Sequence, residues 1–158
     1  RMSLRKKPII VDWHKKLAQG ESFEKIMIEF FRASGHEAWK CEDRKYDLRI
    51  NLHVPYYGFI PITAECKNDI EAGRTGNLAI QTMDGNKPSG VHPKGPNPDL
   101  WVHGIGSEVW IIKTKIVQEL VERFGKTPIK MGDSGYARGI LLPVEQAKKT
   151  VGGYWVTP

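Results

Sequence analysis

The chain has 158 residues, and 40% of them are hydrophobic, which suits a single domain with its own buried core. No apolar run approaches the roughly 20 residues that cross a membrane, so we expect no membrane partner. The formal net charge of +6 favours polyanionic partners, because cationic side chains neutralise phosphates and release counterions.

The cysteines and the first residues predict the compartment. Cys41 and Cys66 are the only two cysteines, which argues for a reducing compartment rather than a disulfide scaffold. The N-terminal sequence RMSLRKK is not followed by the apolar segment of a signal peptide. The five histidines lack the spacing of a zinc site. We therefore expect a cytoplasmic protein whose histidines bind no zinc.

The chain begins with a predicted N-terminal arm, residues 1–20, and a helix is predicted after it at residues 22–34. Ser22 is a suitable N-cap, and Gly35 ends the helix. Large apolar side chains repeat at helical spacing and form the buried stripe of this helix: Phe23, Ile26, Met27, Phe30 and Phe31.

Strands follow the helix, because apolar and polar residues then alternate. The predicted strands cover residues 36–41, 45–52, 58–67, 77–82, 100–104 and 108–113. A turn around residues 55–58 joins the second strand to the third, and a loop over residues 83–99 precedes the fifth. The sixth strand, EVWIIK, is almost continuously apolar, which is typical of a central strand covered on both faces.

The C-terminal part returns to helices. We predict a helix, a strand and a second helix at residues 114–124, 136–142 and 144–149. Thr114 is the predicted N-cap of the first of these helices, and Gly125 ends it. The tail, residues 150–158, either packs through its aromatic side chains or forms a partner surface. The whole pattern predicts one α/β domain over residues 1–158, with a mixed central β-sheet flanked by helices.

Polar side chains share one face of the strands at residues 45–52 and 58–67. Glu65 and Lys67 are two residues apart and project from the same side of their strand. Asp47, on the preceding strand, can lie beside Glu65 if the two strands pair. Two carboxylates are suitable ligands for a hard divalent cation. The alternative is an exposed strand face with an ion pair between neighbouring side chains.

This order of residues resembles the PD-(D/E)XK nuclease superfamily, which places an acidic residue on one strand and a Glu-x-Lys triplet on the next. The resemblance runs from Glu24 to Val144. It includes Glu24 on the first helix and Gln81 on the strand after the triplet. No proline precedes Asp47, where the chain has Lys45 and Tyr46, so this part of the family pattern is missing.

The resemblance implies a restriction-endonuclease-like core and a Mg²⁺-dependent DNA endonuclease, with Mn²⁺ as a substitute metal. Asp47, Glu65 and the backbone carbonyl of Cys66 are then the metal ligands, and Glu24 binds the metal through water or holds a second metal. Lys67 acts on the attacking water or on the phosphate, and Gln81 positions either one. Glu29 is the alternative to Glu24. Glu24 and Gln81 could instead be a solvated helix charge and an ordinary strand-end polar residue.

The loop over residues 83–99 contains the sequence KPSG, and the sequence DLWVH begins at its end. Together they resemble a stretch of small phage-type nucleases. The resemblance implies a single nuclease domain that contacts DNA mainly through phosphates, in a bacterial cell or a phage-infected host. The predicted DNA-binding residues are Arg74, Lys87, Ser89 and Lys94, with His92 beside them. The alternative is a solvated loop rich in proline and glycine.

Three hypotheses for the function follow from these residues. The first is a nuclease, with structure selectivity as an option; cleavage of a DNA junction would require two sites and hence a homodimer. The second is a non-catalytic nucleic-acid-binding domain of the same fold. The third is a basic interaction protein with a chance ion pair. The complete set Asp47, Glu65 and Lys67 favours the enzyme.

Overall fold

The structure is a computed structural model, and it describes Lys15, Leu17 and residues 21–43, 45–132 and 136–158. The predicted N-terminal arm therefore lies outside the described residues, except for Lys15 and Leu17. Leu17 packs at the edge of the hydrophobic core. No helix within these ranges is long and apolar enough to cross a membrane.

Helices separate runs of strands along the described part of the chain. The helices are α1 (Phe23–Ala33), α2 (Ala72–Thr75), α3 (Thr114–Phe124) and α4 (Val144–Lys149). The strands are β1 (Glu37–Lys40), β2 (Leu48–Val54), β3 (Gly58–Asp69), β4 (Asn77–Asp84), β5 (Lys87–Pro88), β6 (Leu100–Ile105), β7 (Glu108–Lys113), β8 (Pro128–Met131), β9 (Ala137–Pro143) and β10 (Tyr154–Val156).

The strands form a central sheet and a second, smaller sheet. The central sheet has six strands in the order β1-β2-β3-β6-β7-β10, and the second has four in the order β5-β4-β9-β8. The pair β3–β6 is parallel, whereas the other neighbours in the central sheet are antiparallel. The predicted class, α/β with a mixed central sheet flanked by helices, is therefore confirmed.

The central sheet separates two hydrophobic cores. On one face, Met27 of α1 packs with Leu48 of β2 and Ala64 of β3. On the other face, Trp101 of β6 packs with Val117 of α3 and with apolar residues of the second sheet. Alternate residues of a strand point to opposite faces, so β6 and β7 supply both cores, Val102 and Val109 to the first and Trp101 and Trp110 to the second.

The ends of α1 agree with the sequence analysis. The Ser22 side chain accepts a hydrogen bond from the Lys25 N–H at 3.1 Å, as an N-cap does. Gly35 follows the helix with a φ of 93°, a backbone conformation that glycine adopts without strain. The hairpin turn at residues 55–58 is also confirmed, with the Tyr57 N–H donating to the Val54 carbonyl at 3.1 Å.

Two local predictions are wrong. Thr114 is the first residue of α3 rather than its cap; the N-cap is Lys113, and no side chain caps this helix. The second strand begins at Leu48, so Asp47 precedes it rather than lying within it. Asp47 is nevertheless held by the sheet, because its N–H donates to the Ala64 carbonyl at 3.1 Å and its carbonyl accepts from the Cys41 N–H at 2.9 Å.

Three short strands were not predicted. β8 and β5 belong to the second sheet, so part of the predicted loop at residues 83–99 is strand. β10 lies in the tail and pairs with β7, where Trp155 stacks on Trp110 with 5.9 Å between the ring centroids. The tail therefore packs on the domain. β7 has a partner strand on each side and is buried on both faces, as the sequence predicts.

We predict that Leu48→Ala lowers the free energy of unfolding by about 2–5 kcal/mol, because it leaves a cavity in a close-packed core. Leu48 is completely buried between the central sheet and α1. Val151→Ala is the matched control, since Val151 is 91% exposed, and it should change the free energy by less than about 0.5 kcal/mol. Urea unfolding followed by circular dichroism measures both, and equal effects would contradict this packing.

Candidate active site

The pairing of β2 with β3 places Asp47 beside Glu65. Leu48 lies opposite Ala64 in the antiparallel register. The next pair of facing residues, just beyond the end of β2, is therefore Asp47 and Glu65. The Asp47 Oδ2 atom accepts a hydrogen bond from the Cys66 N–H at 2.8 Å. One carboxylate oxygen is thereby fixed against β3.

Lys67 links the two sheets. Its Nζ atom lies 3.8 Å from the Glu65 Oε1 atom and donates to the Gln81 Oε1 atom at 3.0 Å. Gln81 belongs to β4 of the second sheet, and its Nε2 atom donates to the Ser89 Oγ atom at 3.4 Å. Asp47, Glu65, Lys67 and Gln81 thus meet where the two sheets adjoin, and Ser89 contacts this group. We call these four residues the junction site.

The junction site disfavours the ionised form of Glu65. Burial and the negative charge of Asp47 raise the pKa of Glu65 to about 7, although the nearby Lys67 ammonium acts in the opposite direction. The negative charge of Glu24 also raises the pKa of Glu65, so the Glu24 carboxylate lies close enough to interact with Glu65 electrostatically. Burial and the same carboxylates also raise the pKa of the Cys66 thiol. The cationic side chain of Lys67 therefore does not fully offset the negative charge of the carboxylates at the junction site.

A divalent cation fits this arrangement. Two adjacent carboxylates supply the oxygen ligands that Mg²⁺ prefers, and Mg²⁺ usually keeps several waters. In the described ranges, no three His, Cys, Asp or Glu side chains are grouped closely enough to hold a metal by themselves. The ligand set of Asp47 and Glu65, completed by waters and a carbonyl, therefore stays a prediction. The Cys66 side chain is in the apolar core, so only its backbone could contribute.

Of the predicted DNA-binding residues, one forms a hydrogen bond with the junction site and three do not. Ser89 contacts it through Gln81. Lys87 and Lys94 are exposed, and Arg74 is exposed with its Nε atom donating to the Glu71 carboxylate at 3.0 Å. Within the described part of the chain, no hydrogen bond or ion pair joins these three cations to the junction site.

A buried polar cluster beside the junction site was not predicted. The Trp101 Nε1 atom donates to the His103 Nδ1 atom at 3.0 Å, so the neutral imidazole carries its proton on Nε2, which lies 2.9 Å from the Asp69 Oδ2 atom. Asp69 also accepts from the Ala79 N–H at 2.8 Å and the Ala72 N–H at 3.2 Å. Asp69 therefore ties β3 to α2 and to β4, which carries Gln81.

The hydrogen bonds to Asp69 decide its ionisation. Burial raises the pKa of Asp69, but the bonds from His103 and from the two N–H groups outweigh burial and leave the pKa below its ordinary value. The sequence held one signal for this cluster: Asp69 continues the alternation of Glu65 and Lys67, which places all three on one face of β3.

A scan against protein-family models and searches of curated proteins and of solved structures give no match for this chain.

We predict that ionisation of Glu65 destabilises the metal-free protein. Because its pKa is about 7 in the folded protein and 4.5 in the reference state, the folded protein retains a proton that the unfolded chain releases between these values. Stability therefore falls as the pH rises through this window, by up to roughly 3 kcal/mol. In EDTA, Glu65→Gln should match the parent near pH 4.5 and exceed its stability at pH 8.

Urea unfolding at pH 4.5 and pH 8 measures this difference. Glu42→Gln is the control, because Glu42 is an exposed carboxylate of the same chemistry. A stability difference between Glu65→Gln and the parent that stays constant with pH would show that Glu65 ionises like a solvated side chain.

Proposed function

We propose that the protein is a Mg²⁺-dependent endonuclease that hydrolyses phosphodiester bonds of DNA. The observation that carries this proposal is the convergence of Asp47, Glu65, Lys67 and Gln81 at the junction of the two sheets. An exposed strand face with a chance ion pair would leave Glu65 solvated. Burial and neighbouring negative charge instead raise its pKa to about 7, which a bound cation would relieve.

In this proposal, Asp47 and Glu65 hold the metal together with the Cys66 carbonyl. Glu24 supports it through water or holds a second metal. Bound Mg²⁺, or Mn²⁺ in its place, supplies an electrophile for the phosphoryl oxygen and lowers the pKa of a bound water. The hydrogen bond from the Cys66 N–H leaves the other oxygen of Asp47 available as a ligand.

Lys67 and Gln81 then act on the water and the phosphate. The Lys67 ammonium lies within hydrogen-bond distance of Gln81 and close to Glu65, so its position is restricted before substrate binds. It orients the attacking water or neutralises the charge that develops on the phosphate. Attack by water forms one P–O bond and breaks another, and the leaving oxygen takes up a proton. From the family resemblance we expect a 5′-phosphate and a 3′-hydroxyl.

DNA is the proposed partner, held mainly through its phosphates. The net charge of +6 supports a polyanionic partner. Arg74, Lys87 and Lys94 are exposed and able to contact phosphates, and Ser89 is placed beside Gln81. The cytoplasm of a bacterial cell or a phage-infected host remains the proposed location, and a homodimer follows only if the substrate is a two-sided junction.

We predict that Asp47→Asn and Glu65→Gln each reduce cleavage of plasmid DNA by about 100-fold or more, because each removes a metal-binding charge. Asn at position 47 can still accept the hydrogen bond from the Cys66 N–H, so the fold should persist. Lys67→Ala should lose cleavage to the same extent but keep most of the Mn²⁺ affinity, because lysine is not a ligand.

Calorimetric titration with Mn²⁺, beside a cleavage assay with Mg²⁺, Mn²⁺ and EDTA, separates these roles. Asp84→Asn is the control, since Asp84 is an exposed carboxylate on β4, and it should cleave like the parent. Full activity of Asp47→Asn or Glu65→Gln would refute the assignment. Loss of Mn²⁺ binding by Lys67→Ala as large as that of Glu65→Gln would mean that the role of Lys67 is different.

We predict that the triple variant Arg74→Ala/Lys87→Ala/Lys94→Ala binds every DNA sequence more weakly. The slope of log affinity against log salt should become shallower by roughly 0.7–0.9 for each lost phosphate contact. DNA affinity across a salt series in EDTA measures this slope. A triple alanine variant at the exposed Lys25, Lys126 and Lys130 removes the same charge and is the control. Equal slopes for the two variants would show that the three predicted cations have no specific role.

A further inference from the structure

A hairpin at the end of the central sheet exposes large aromatic side chains. We call residues 52–61 the aromatic arm; it comprises the end of β2, the turn and the start of β3. Tyr56 is 104% exposed, Tyr57 83% and Phe59 53%. Contiguous exposed apolar side chains of this kind mark interaction surfaces in soluble proteins.

The arm extends beyond the neighbouring strands. β1 pairs with β2 only as far as Asn51, and β6 pairs with β3 only from Ala64 onwards. Between these limits the arm is a two-stranded ribbon, which is marginally stable by itself in water. A ribbon that keeps its aromatic rings in solvent gains from contact with a binding partner.

The backbone of the turn supports a role for the Tyr56 ring. Among the described residues, Tyr56 is the only non-glycine residue with a positive φ, at 70°. This left-handed conformation costs energy for a residue with a bulky side chain and is easily adopted by glycine. The turn therefore presents an aromatic ring at a position where the backbone alone would favour glycine.

Phe59 and His53 of the aromatic arm lie on the same face of the sheet as the junction site. Phe59 and Glu65 are six residues apart on β3, so their side chains project to the same side. His53 lies opposite Phe59, and their ring centroids are 5.1 Å apart. At about 3.3 Å per residue, the distance along β3 from Glu65 to Phe59 is roughly 20 Å, or about six nucleotide steps of 3.4 Å.

The surface between the arm and the junction site is polar and carries a cation. The exposed Arg49 lies opposite Thr63 on this face. Two carboxylates lie beside them: the Asp43 carboxylate is 3.8 Å from Arg49, and the Asp99 carboxylate accepts from the Thr63 N–H at 2.9 Å. A nucleic acid strand leaving the junction site along β3 would meet hydrogen-bonding groups first and aromatic rings at the end.

We propose that the aromatic arm stacks on unpaired bases, so that the preferred substrate is DNA with a single-stranded extension beside the duplex. The proposal rests on the proposed nuclease function. Residues 54–64 contain no charged side chain, which suits stacking on base faces rather than binding of phosphates. Stacking requires exposed base faces, which unpaired nucleotides offer along their length and an intact duplex offers only at its ends.

Fluorescence anisotropy in EDTA tests this proposal without cleavage. The probes are a labelled blunt duplex and the same duplex with a ten-nucleotide single-stranded extension. The parent should bind the extended DNA about 10-fold or more tightly than the blunt one. The variant Tyr56→Gly/Tyr57→Ser/Phe59→Thr should keep its affinity for the blunt duplex and lose most of this preference.

Two further variants separate stacking from a general structural effect. Tyr56→Gly alone relieves the strained backbone, so it should fold at least as well as the parent and still lose part of the preference. Tyr154→Ser is the control on β10, at the opposite edge of the central sheet, and it should keep the full preference although Tyr154 is 71% exposed.

The outcomes distinguish this proposal from the nuclease function. Cleavage of DNA with no preference for the extension, or with the same preference in parent and arm variant, overturns the role of the arm and leaves the nuclease intact. An arm-dependent preference without cleavage in Mg²⁺ supports the role of the arm and overturns the nuclease. Sedimentation that shows a dimer for the parent and a monomer for the arm variant would identify the arm as an interface between two copies, which also overturns the proposal.

Discussion

The strand β3 sends neighbouring side chains to opposite faces of the central sheet, and both the core against α1 and the candidate site depend on this alternation. Ala64 and Cys66 are buried against α1, whereas Glu65 and Lys67 face the second sheet. A shift of β3 by one residue against β2 would turn the Glu65 carboxylate into the apolar core. The packing of α1 therefore fixes the register that brings Asp47 beside Glu65.

The second sheet converts a polar strand face into a partly buried site. It places Gln81 against Lys67, and the surrounding protein raises the pKa of Glu65 to about 7. The Asp69 carboxylate is the fixed point between the sheets, because it accepts hydrogen bonds from residues of both. The arrangement keeps its charged groups in place at a cost in stability, which is a common property of sites prepared for a ligand.

The same strand connects the candidate site with the aromatic arm. β3 has twelve residues; its first half pairs with β2 and its second half with β6, and the two pairings meet at Ala64. The first half leaves the body of the domain as part of a ribbon, so its side chains stay in solvent. The candidate site and the ring of Phe59 therefore lie on one face of the strand, separated by roughly 20 Å along it.

The sequence by itself determined the features that depend on consecutive residues. The helical repeat from Phe23 to Phe31 specified α1, and the alternation around Glu65 placed Glu65 and Lys67 on one face of a strand. These patterns are local, because the geometry of a helix or a strand decides which near neighbours share a face. The fold class and the order of the candidate residues followed from them.

Only the tertiary structure decided which strands pair and how deeply the charged groups are buried. β4 belongs to the second sheet, where it pairs with β9, more than fifty residues later in the sequence. This pairing places Gln81 against Lys67. β8 and β10 have four and three residues, too few for a clear period, and their partners stabilise them. The pKa of Glu65 depends on burial and on charges from three separate elements, and no local pattern of residues encodes that sum.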